Sequence, residues 1–249
     1  MIQSFIFVKS QDFQLPADSV QFFVSYIESN NDKLLISRAD TLSSGSSGEI
    51  MIAYRSEPNL KEVEKQIGYT EQLIKYKPNR IDYWYSKSYI YFTAKLYDDL
   101  FNSLDELLSY SKTNNNEWYN LNDFNRITTD EFLLGMSFYV SDIDKTKDQN
   151  GEFYYEKIAQ LVQSHYPEHQ QTYNILAISA FEKQDYQESA INYTKALSTD
   201  PDNIYYLVNL FNCQYFLNNK DEALKIYEKV KKLNHKEAIQ YIENNLQYF

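Results

Sequence analysis

The amino-acid sequence predicts an all-α fold built from repeated helix pairs, and three observations lead to this prediction. The 249 residues include only 5 glycines and 5 prolines, which favours helices joined by tight connections over a fold rich in strands and turns. Apolar residues recur at helical spacing in several segments. Two segments, residues 170–203 and 204–237, align without gaps at an offset of 34 residues, which indicates an internal repeat.

Residues 1–57 are interpreted as a separate N-terminal segment with at least one helix. That helix is predicted between Asp18 and Ser29, where the apolar residues fall on one side. The stretch LSSGSSGE (42–49) is predicted to be a flexible link. The pattern of EIMIAY (49–54) is compatible with a strand or with a helix.

The first residues bear on the compartment. MIQSFIFV is a short apolar run with no basic residue before it, so it does not make a complete signal peptide. We therefore expect a cytoplasmic protein, or a periplasmic or secreted one if this run is the remainder of a signal peptide. No apolar stretch approaches the roughly 18 residues that a membrane span needs.

Residues 58–112 are predicted to form degenerate helices of the same repeat. NLKEVEKQIGYTEQLIKYKP (59–78) has the pattern of a second helix that ends at a proline. A first helix is predicted after Pro78. The second helix that follows it places four leucines at helical spacing, namely Leu100, Leu104, Leu107 and Leu108.

Residues 113–169 are interpreted as a lengthened, degenerate repeat. Thr128 and Glu131 have the spacing of a capping box, and they predict a helix that runs to about Val140. A polar loop and an amphipathic helix follow. Part of the loop, TKDQNG (146–151), faintly resembles a calcium loop, but Lys157 stands where a bidentate Glu is needed, so we predict a solvated loop.

Residues 170–237 have the pattern of two complete helix pairs. Small side chains stand where the two helices of the first pair would cross closely: Ala177, Ser189 and Ala196. Pro201 ends the first pair, and Pro167 lies 34 residues before it. The last segment, residues 238–249, is predicted to be a capping helix, because its polar face suits the exposed end of a repeat stack.

These residues carry a resemblance to a known family. A 34-residue helix–turn–helix with a small residue in its first helix, DYQESAINYTKAL in its second and a closing proline resembles the tetratricopeptide repeat. The match is strong for 170–203 and weaker in the first helix of 204–237, where Phe211 stands at a position usually held by a small residue. Trp84 stands at the fourth position expected of an earlier repeat. The pattern is also similar to that of uncharacterised bacterial repeat proteins.

The resemblance implies a right-handed α-solenoid whose first helices line a concave groove. Such a groove binds a protein or peptide; some family members hold a C-terminal carboxylate with Lys and Arg, which the groove positions lack here. Carried over by position, the groove residues are Tyr85, Tyr89, Phe92, Gln171, Asn174, Ile178, Phe181, Tyr205, Val208, Asn212 and Tyr215, with Glu182 and Phe216 beside them.

Composition narrows the function further. The net charge of −11 and the pI of about 4.8 disfavour a nucleic-acid partner, because an acidic surface repels phosphates. The single cysteine, Cys213, excludes an intrachain disulfide and a Cys-based zinc site, and we expect it to be a small buried hydrophobe. No phosphate loop, G-x-S-x-G elbow or dinucleotide fingerprint occurs, and no cofactor is expected.

The stretch HYPEH (165–169) is the strongest sign of catalysis. His165, Glu168 and His169 have the H-x-x-E-H order of some zinc hydrolases, which requires both histidines on one face of a continuous helix. Pro167 lies between them and disfavours such a helix, so the histidines are predicted to flank a turn between repeats.

The resulting hypothesis is a non-enzymatic interaction module or scaffold that binds a protein or peptide in a groove rich in tyrosine and asparagine. Two alternatives stay open at this point. One is a metal-dependent hydrolase that uses His165, Glu168 and His169, and the other is a structural protein that assembles with itself through its aromatic faces. The sequence leaves the oligomeric state open.

Overall fold

A computed structural model describes residues 60–76, 78–114, 118–119, 126–143 and 145–248. The predictions for residues 1–57 lie outside the described residues. Within them the chain forms ten helices and one pair of short strands, which makes the fold a helical repeat, as predicted. The described residues belong to two compact units that meet in the sequence after Phe132.

The described part of the N-terminal unit, within residues 60–132, contains three helices, two strands and the first turn of a fourth helix. The elements are α1 (Leu60–Tyr76), α2 (Ile81–Thr93), α3 (Tyr97–Thr113), β1 (Trp118–Tyr119), β2 (Arg126–Ile127) and the start of α4 (Thr129–Asp142). The C-terminal unit, residues 133–248, holds the rest of α4 and six further helices. These are α5 (Tyr154–His165), α6 (Gln170–Glu182), α7 (Tyr186–Thr199), α8 (Ile204–Phe216), α9 (Lys220–Lys232) and α10 (Lys236–Leu246).

Three helix pairs share one local geometry. The first helices α2, α6 and α8 each have 13 residues. In each pair the second helix begins 16 residues after the first, from 81 to 97, from 170 to 186 and from 204 to 220. The α2–α3 pair therefore repeats the geometry of the two pairs in the C-terminal unit, although its sequence resembles them only weakly.

The turn inside each pair is also shared. The backbone of one residue after each first helix is left-handed, with φ of 58° at Lys95, 66° at Gln184 and 54° at Asn218. After α6, the Asp185 N–H donates to the Ala180 carbonyl and the Gln184 N–H to the Phe181 carbonyl, each at 2.9 Å. The corresponding bonds close α2 and α8, so all three first helices end in the same Schellman motif.

Close packing of α6, α7 and α8 rests on small buried side chains. Ala177, Ser189 and Ala196 are all 0% exposed, at the crossing that the sequence predicted. The Ser189 hydroxyl donates to the Ala177 carbonyl of α6 at 2.8 Å. It also accepts from the thiol of Cys213, in α8, at 3.2 Å. Cys213 is fully buried, and burial raises its pKa to about 12.

In the next pair, α8 and α9, the first helix carries a larger side chain and the second a smaller one at the corresponding positions. Phe211 stands 34 residues after Ala177, and Ala223 stands 34 residues after Ser189. Both are 0% exposed and belong to one apolar core cluster. The small side chain of Ala223 in the second helix thus leaves room for the larger Phe211 in the first. Phe211 is a core residue.

Polar side chains cap the starts of three helices in the described part of the C-terminal unit that begin a repeat or close the chain. His169, Asn203 and His235 are the N-caps of α6, α8 and α10. Each accepts a hydrogen bond from a backbone N–H of the first turn, at 3.1–3.3 Å, which satisfies a donor that the helix leaves unpaired. Helix α8 starts 34 residues after α6, but α10 starts only 32 residues after α8. The last helix therefore begins two residues earlier than the 34-residue repeat would place it.

Helix α10 closes the described chain with one apolar and one polar face. It buries Ala238 and Ile242. The residues of its predicted polar face are exposed: Lys236, Gln240, Glu243 and Asn244, with Gln247 directly after the helix. Helix α10 begins at residue 236, two residues before the predicted boundary. No described helix has the length and apolar character that would let it cross a membrane.

Trp118 is a core residue of the N-terminal unit and is 0% exposed. Its ring lies 5.6 Å from the ring centroids of both Tyr110 and Phe132, and its indole N–H donates to the Ser111 hydroxyl at 2.8 Å. Trp118 belongs to β1, which pairs antiparallel with β2. The sequence did not predict these strands, because two-residue strands are too short to show an alternating pattern.

A buried lysine joins helices α1, α2 and α3. The Lys87 ammonium of α2 lies 3.3 Å from a Glu71 carboxylate oxygen of α1 and 2.8 Å from one of Glu106 in α3. Burial by itself lowers the pKa of Lys87, but the hydrogen bonds and charges of Glu106 and Glu71 outweigh it and raise the pKa. The lysine therefore stays charged although its side chain is only 9% exposed.

The predicted capping box is present at the start of α4. The Glu131 N–H donates to the Thr128 hydroxyl oxygen at 3.2 Å, and the Thr128 N–H donates back to the Glu131 carboxylate at 2.8 Å. The helix continues to Asp142, two residues beyond the predicted end at Val140.

The Schellman turns give a stability prediction. Replacing Gln184 by glycine should raise the free energy of unfolding by about 0.5–1 kcal/mol, because glycine adopts the left-handed backbone without steric cost. The greater flexibility of glycine in the unfolded chain offsets only part of this gain. Asn218→Gly should gain less, since asparagine tolerates this conformation better. Urea unfolding measures both variants.

The matched control is Lys183→Gly, one residue earlier, where the backbone is right-handed with φ −75°. Glycine brings no steric relief at that position, so this variant should lose stability. An equal gain in all three variants would contradict the assignment of strain to the left-handed position.

The core position of Trp118 gives a second prediction. Trp118→Ala should destabilise the protein by about 3–5 kcal/mol, because it removes a large buried side chain and leaves a cavity. Tyr248→Ala removes an aromatic ring that is 70% exposed and should change stability little. A Trp118→Ala effect below 1 kcal/mol in urea unfolding would show that the ring does not organise this unit.

Candidate functional site

The predicted groove residues fall into two groups by exposure. Six of them are at most 8% exposed: Tyr85, Gln171, Asn174, Ile178, Val208 and Asn212. The other five are partly exposed: Tyr89, Phe92, Phe181, Tyr205 and Tyr215. Tyr85, Tyr89 and Phe92 belong to the N-terminal unit and the rest to the C-terminal unit.

The buried residues of the first group already have packing or hydrogen-bond roles. Val208 lies in the apolar core cluster that also contains Phe211 and Ala223. The Tyr85 hydroxyl donates to the Phe132 carbonyl at 2.8 Å. The Asn174 amide N–H donates to the Gln171 side-chain oxygen at 3.2 Å. These side chains therefore support the helices and offer little surface to a ligand.

Asn212 receives a hydrogen bond from the last helix. The Tyr241 hydroxyl of α10 donates to the Asn212 side-chain oxygen of α8 at 2.8 Å. Burial raises the pKa of Tyr241, and the hydrogen bond to Asn212 opposes that shift. Tyr241 was not predicted from the sequence, because its contact with Asn212 joins residues 29 positions apart.

Three of the partly exposed positions have close neighbours of their own. Burial raises the pKa of Tyr205 to about 12, and a hydrogen bond with the Asn209 side chain opposes the shift. In the N-terminal unit the rings of Tyr89 and Phe92 stack at 6.3 Å between centroids.

An exposed aromatic cluster lies at the ends of α6 and α8. It consists of Phe181, Tyr186, Tyr215 and Phe216. The rings of Tyr186 and Phe216 are stacked, 4.7 Å apart and 13° from parallel. The rings of Phe181 and Tyr215 each meet the Phe216 ring edge-on, with 5.5 Å between the ring centroids. Phe216 is 43% exposed, so the cluster presents an aromatic surface to solvent.

The backbone explains how four rings come together here. Phe181 and Phe216 occupy the last turns of two first helices, each just before a Schellman turn. Tyr186 is the first residue of α7 and therefore follows one of those turns directly. Phe181, Tyr215 and Phe216 were predicted from the sequence, whereas Tyr186 was not, because the groove of the family is formed by first helices and Tyr186 belongs to a second helix.

The residue after Phe181 carries a partly buried carboxylate. Glu182 follows Phe181, and its side chain is 20% exposed. Burial raises the pKa of Glu182, and the charge of Lys145 opposes the shift. The Lys145 ammonium lies 3.8 Å from a Glu182 carboxylate oxygen and donates to the Glu182 carbonyl at 3.2 Å. The charge of Glu182 also reaches the hydroxyl of Tyr186, where it adds to the rise in pKa caused mainly by burial.

The HYPEH stretch forms a turn, as predicted. His165 is the last residue of α5, and His169 is the N-cap of α6, whose Nδ1 accepts from the Gln171 N–H at 3.2 Å. Pro167 and Glu168 lie in the turn between these helices. The two histidines therefore do not share one helix face. In the part of the chain that the structure describes, no three His, Cys, Asp or Glu side chains are grouped to hold a metal ion.

The loop 146–153 is held by Asp148 and Lys157. The Asp148 carboxylate accepts from the backbone N–H groups of Asn150 at 2.8 Å and Glu152 at 3.0 Å. Its second oxygen lies 2.7 Å from the Lys157 ammonium. Hydrogen bonds from Lys157 and the loop backbone lower the pKa of Asp148 to about 2. The Lys157 ammonium therefore neutralises the buried Asp148 carboxylate.

The shared geometry of the helix pairs is that of a helical-repeat protein. Comparison with known families shows which kind of repeat the chain resembles. The tetratricopeptide repeat family model matches residues 180–246, a segment that begins inside α6 and ends with α10. The match confirms the resemblance to tetratricopeptide repeats and includes all four residues of the aromatic cluster. It covers well under half of the chain. No curated protein matches the chain, and the similarity to bacterial repeat proteins stays a prediction.

The depressed pKa of Asp148 leads to a pH-dependent prediction. Its value of about 2 in the folded protein lies below the usual 3.8, so the ionised carboxylate stabilises the fold above pH 4, and this contribution disappears as the pH falls towards 2. Asp148→Asn should therefore melt at a lower temperature than wild type at pH 7, and the difference should shrink on acidification.

Asp202→Asn is the control, since it removes an exposed ion pair with Lys229 at 3.5 Å, a type of pair that contributes little. Thermal melts of both variants between pH 7 and pH 2 measure the effect. A wild-type advantage over Asp148→Asn that stayed constant down to pH 2 would contradict the assignment.

Proposed function

We propose that this protein is a non-enzymatic interaction module that binds a protein or peptide partner. Tetratricopeptide repeats generally mediate contacts between proteins. The observation that carries the proposal is the exposed aromatic cluster, which lies entirely within the segment that matches the family. A solvent-facing set of mutually packed rings at the ends of two repeats is a rigid, apolar contact surface.

The exposures of the groove positions indicate which of them would contact a partner. Phe181, Tyr205 and Tyr215 are partly exposed, and Phe216 adds the largest accessible ring of the cluster. Aromatic residues dominate the energy of protein interfaces because they bury a large area and lose few rotamers. The buried positions, such as Ile178 and Val208, would act by holding the first helices in place.

The charge of the chain restricts the class of partner. A net charge of −11 favours neutral or basic partners, because like charges that meet in an interface are costly. The same charge disfavours nucleic acid. No described contact favours the hydrolase hypothesis over this one, since the two histidines of HYPEH flank a turn and one of them caps a helix.

Panning of a random peptide library on the immobilised full chain tests this function. Peptides enriched on wild type should be lost on a Tyr215→Ala/Phe216→Ala variant, because the accessible part of the cluster is removed. Enrichment is measured by sequencing the selected pools. Urea unfolding of each immobilised protein verifies that the variant is folded.

Leu224→Ala is the matched control. Leu224 is an apolar residue of α9 that is 39% exposed, close to the 43% of Phe216, and it lies outside the cluster. The control should retain the peptides that wild type selects. Equal selection by all three proteins, or no enrichment on wild type, would contradict binding at the cluster.

A further inference from the structure

One asparagine of the chain is followed directly by a glycine. It is Asn150, in the loop 146–153, and both Asn150 and Gly151 are exposed to solvent. The backbone nitrogen that follows an asparagine can attack the carbon of its side-chain amide, which makes asparagine a labile residue. The side chain of the following residue hinders this attack, and glycine has none. The pair Asn150–Gly151 is therefore the least hindered position for this reaction in the sequence.

The closed loop opposes the reaction. The Gly151 N–H donates to the Asp148 carbonyl at 3.0 Å, which closes a β-turn around Gln149 and Asn150. The Gly151 nitrogen must lose both this bond and its proton before it can attack. Gly151 has a φ of 84°, where a residue with a side chain would be strained. The turn thus needs the same glycine that makes Asn150 labile.

The Asp148 carboxylate holds the turn closed. One of its oxygens accepts from the N–H groups of Asn150 at 2.8 Å and Glu152 at 3.0 Å, so it fixes the backbone on both sides of Gly151. Its other oxygen lies 2.7 Å from the Lys157 ammonium of α5, which ties the turn to a helix. Opening the turn therefore breaks several bonds to a single carboxylate.

We propose that Asn150 is a site of spontaneous deamidation and that the hydrogen-bonded turn of Asp148 controls its rate. In the opened turn the Gly151 nitrogen loses its proton and forms a bond to the Asn150 Cγ, and the bond from Cγ to the amide nitrogen breaks. The amide nitrogen leaves as ammonia, and a five-membered succinimide remains. Water then adds to one of the two succinimide carbonyls and opens the ring, which gives aspartate or isoaspartate. One water is consumed and one ammonia is released.

The two products act differently on the loop. Aspartate at position 150 keeps the length of the backbone, so the hydrogen bonds to Asp148 can form again, and it adds one negative charge. In isoaspartate the main chain runs through the former side chain and is one carbon longer. The N–H groups of residues 150 and 152 then no longer have the spacing that lets them share one Asp148 oxygen. Isoaspartate therefore weakens the connection between this loop and Lys157, in the first turn of α5.

The experiment follows deamidation of the purified full chain in mildly alkaline buffer by peptide mass spectrometry. The reaction replaces an amide by an acid, and chromatography separates the aspartate and isoaspartate peptides. The peptide that contains Asn150 should convert slowly in the folded wild type and about tenfold faster or more in urea, because the turn is then open. Asp148→Ala should raise the rate in the folded protein about tenfold, as expected when hydrogen bonds to a charged group are lost.

A second variant and two controls separate opening of the turn from unfolding of the chain. Lys157→Met removes the ammonium that holds Asp148 and none of the reacting atoms, so it should also accelerate the reaction. Thermal melts verify that both variants are folded. Asn150→Gln should not convert, because its longer side chain would have to form a six-membered ring. Asn234 is the control within each sample, since it is exposed and left-handed with φ 55° but is followed by a histidine.

The outcomes decide each part of the proposal. Asn234 should convert more slowly than Asn150 in urea and at the same rate in the folded variants as in wild type. Equal rates for Asn150 in folded wild type and in urea would overturn control by the turn. Conversion of Asn234 as fast as that of Asn150 in urea would refute the role of Gly151. An unconverted Asn150 in both Asp148→Ala and Lys157→Met would disprove the site.

Discussion

The hydrogen bond from the Ser189 hydroxyl to the Ala177 carbonyl is the contact on which the C-terminal unit depends. It exists only because two small residues let α6 and α7 approach closely, and Cys213 of α8 donates to the same hydroxyl. Three helices of two successive repeats are thereby fixed at one buried point. With their centres so held and their lengths equal, α6 and α8 end next to each other, which brings Phe181 and Phe216 into contact.

Much of the fold was predictable, because its signals are local. The 34-residue offset, the closing prolines and the Thr128–Glu131 capping box each depend on residues close in sequence, and the structure contains the helices that they indicate. Other features depend on distant residues. The ion pairs of Lys87 join helices from three parts of the chain, and Trp118 is held by neighbours before and after it. The Schellman turns were missed because Lys95 and Gln184 are not the glycines that mark such positions.

The candidate site was predictable only in part, for a related reason. Periodicity assigns a residue to a helix face, but it does not tell whether a neighbouring helix already covers that face. Val208 is buried in an apolar cluster formed by α8, α9 and α10, and Asn212 is covered by Tyr241 of α10. Tyr186 joins the aromatic cluster from the second helix of its pair, whereas the resemblance to the family predicted groove residues only on first helices. Phe181, Tyr215 and Phe216, at the helix ends, remain accessible, and their contact with a partner stays a prediction.

The burial of Cys213 has a practical consequence. It is the single cysteine of the chain, and with its pKa near 12 its thiolate fraction at neutral pH is negligible, so the native protein resists alkylation and oxidation at sulfur. A cysteine introduced on the surface would be the one thiol able to react. The wild-type background therefore allows a fluorophore, spin label or crosslinker to be attached at a chosen residue without first removing a native thiol, and such probes can follow the proposed surface directly.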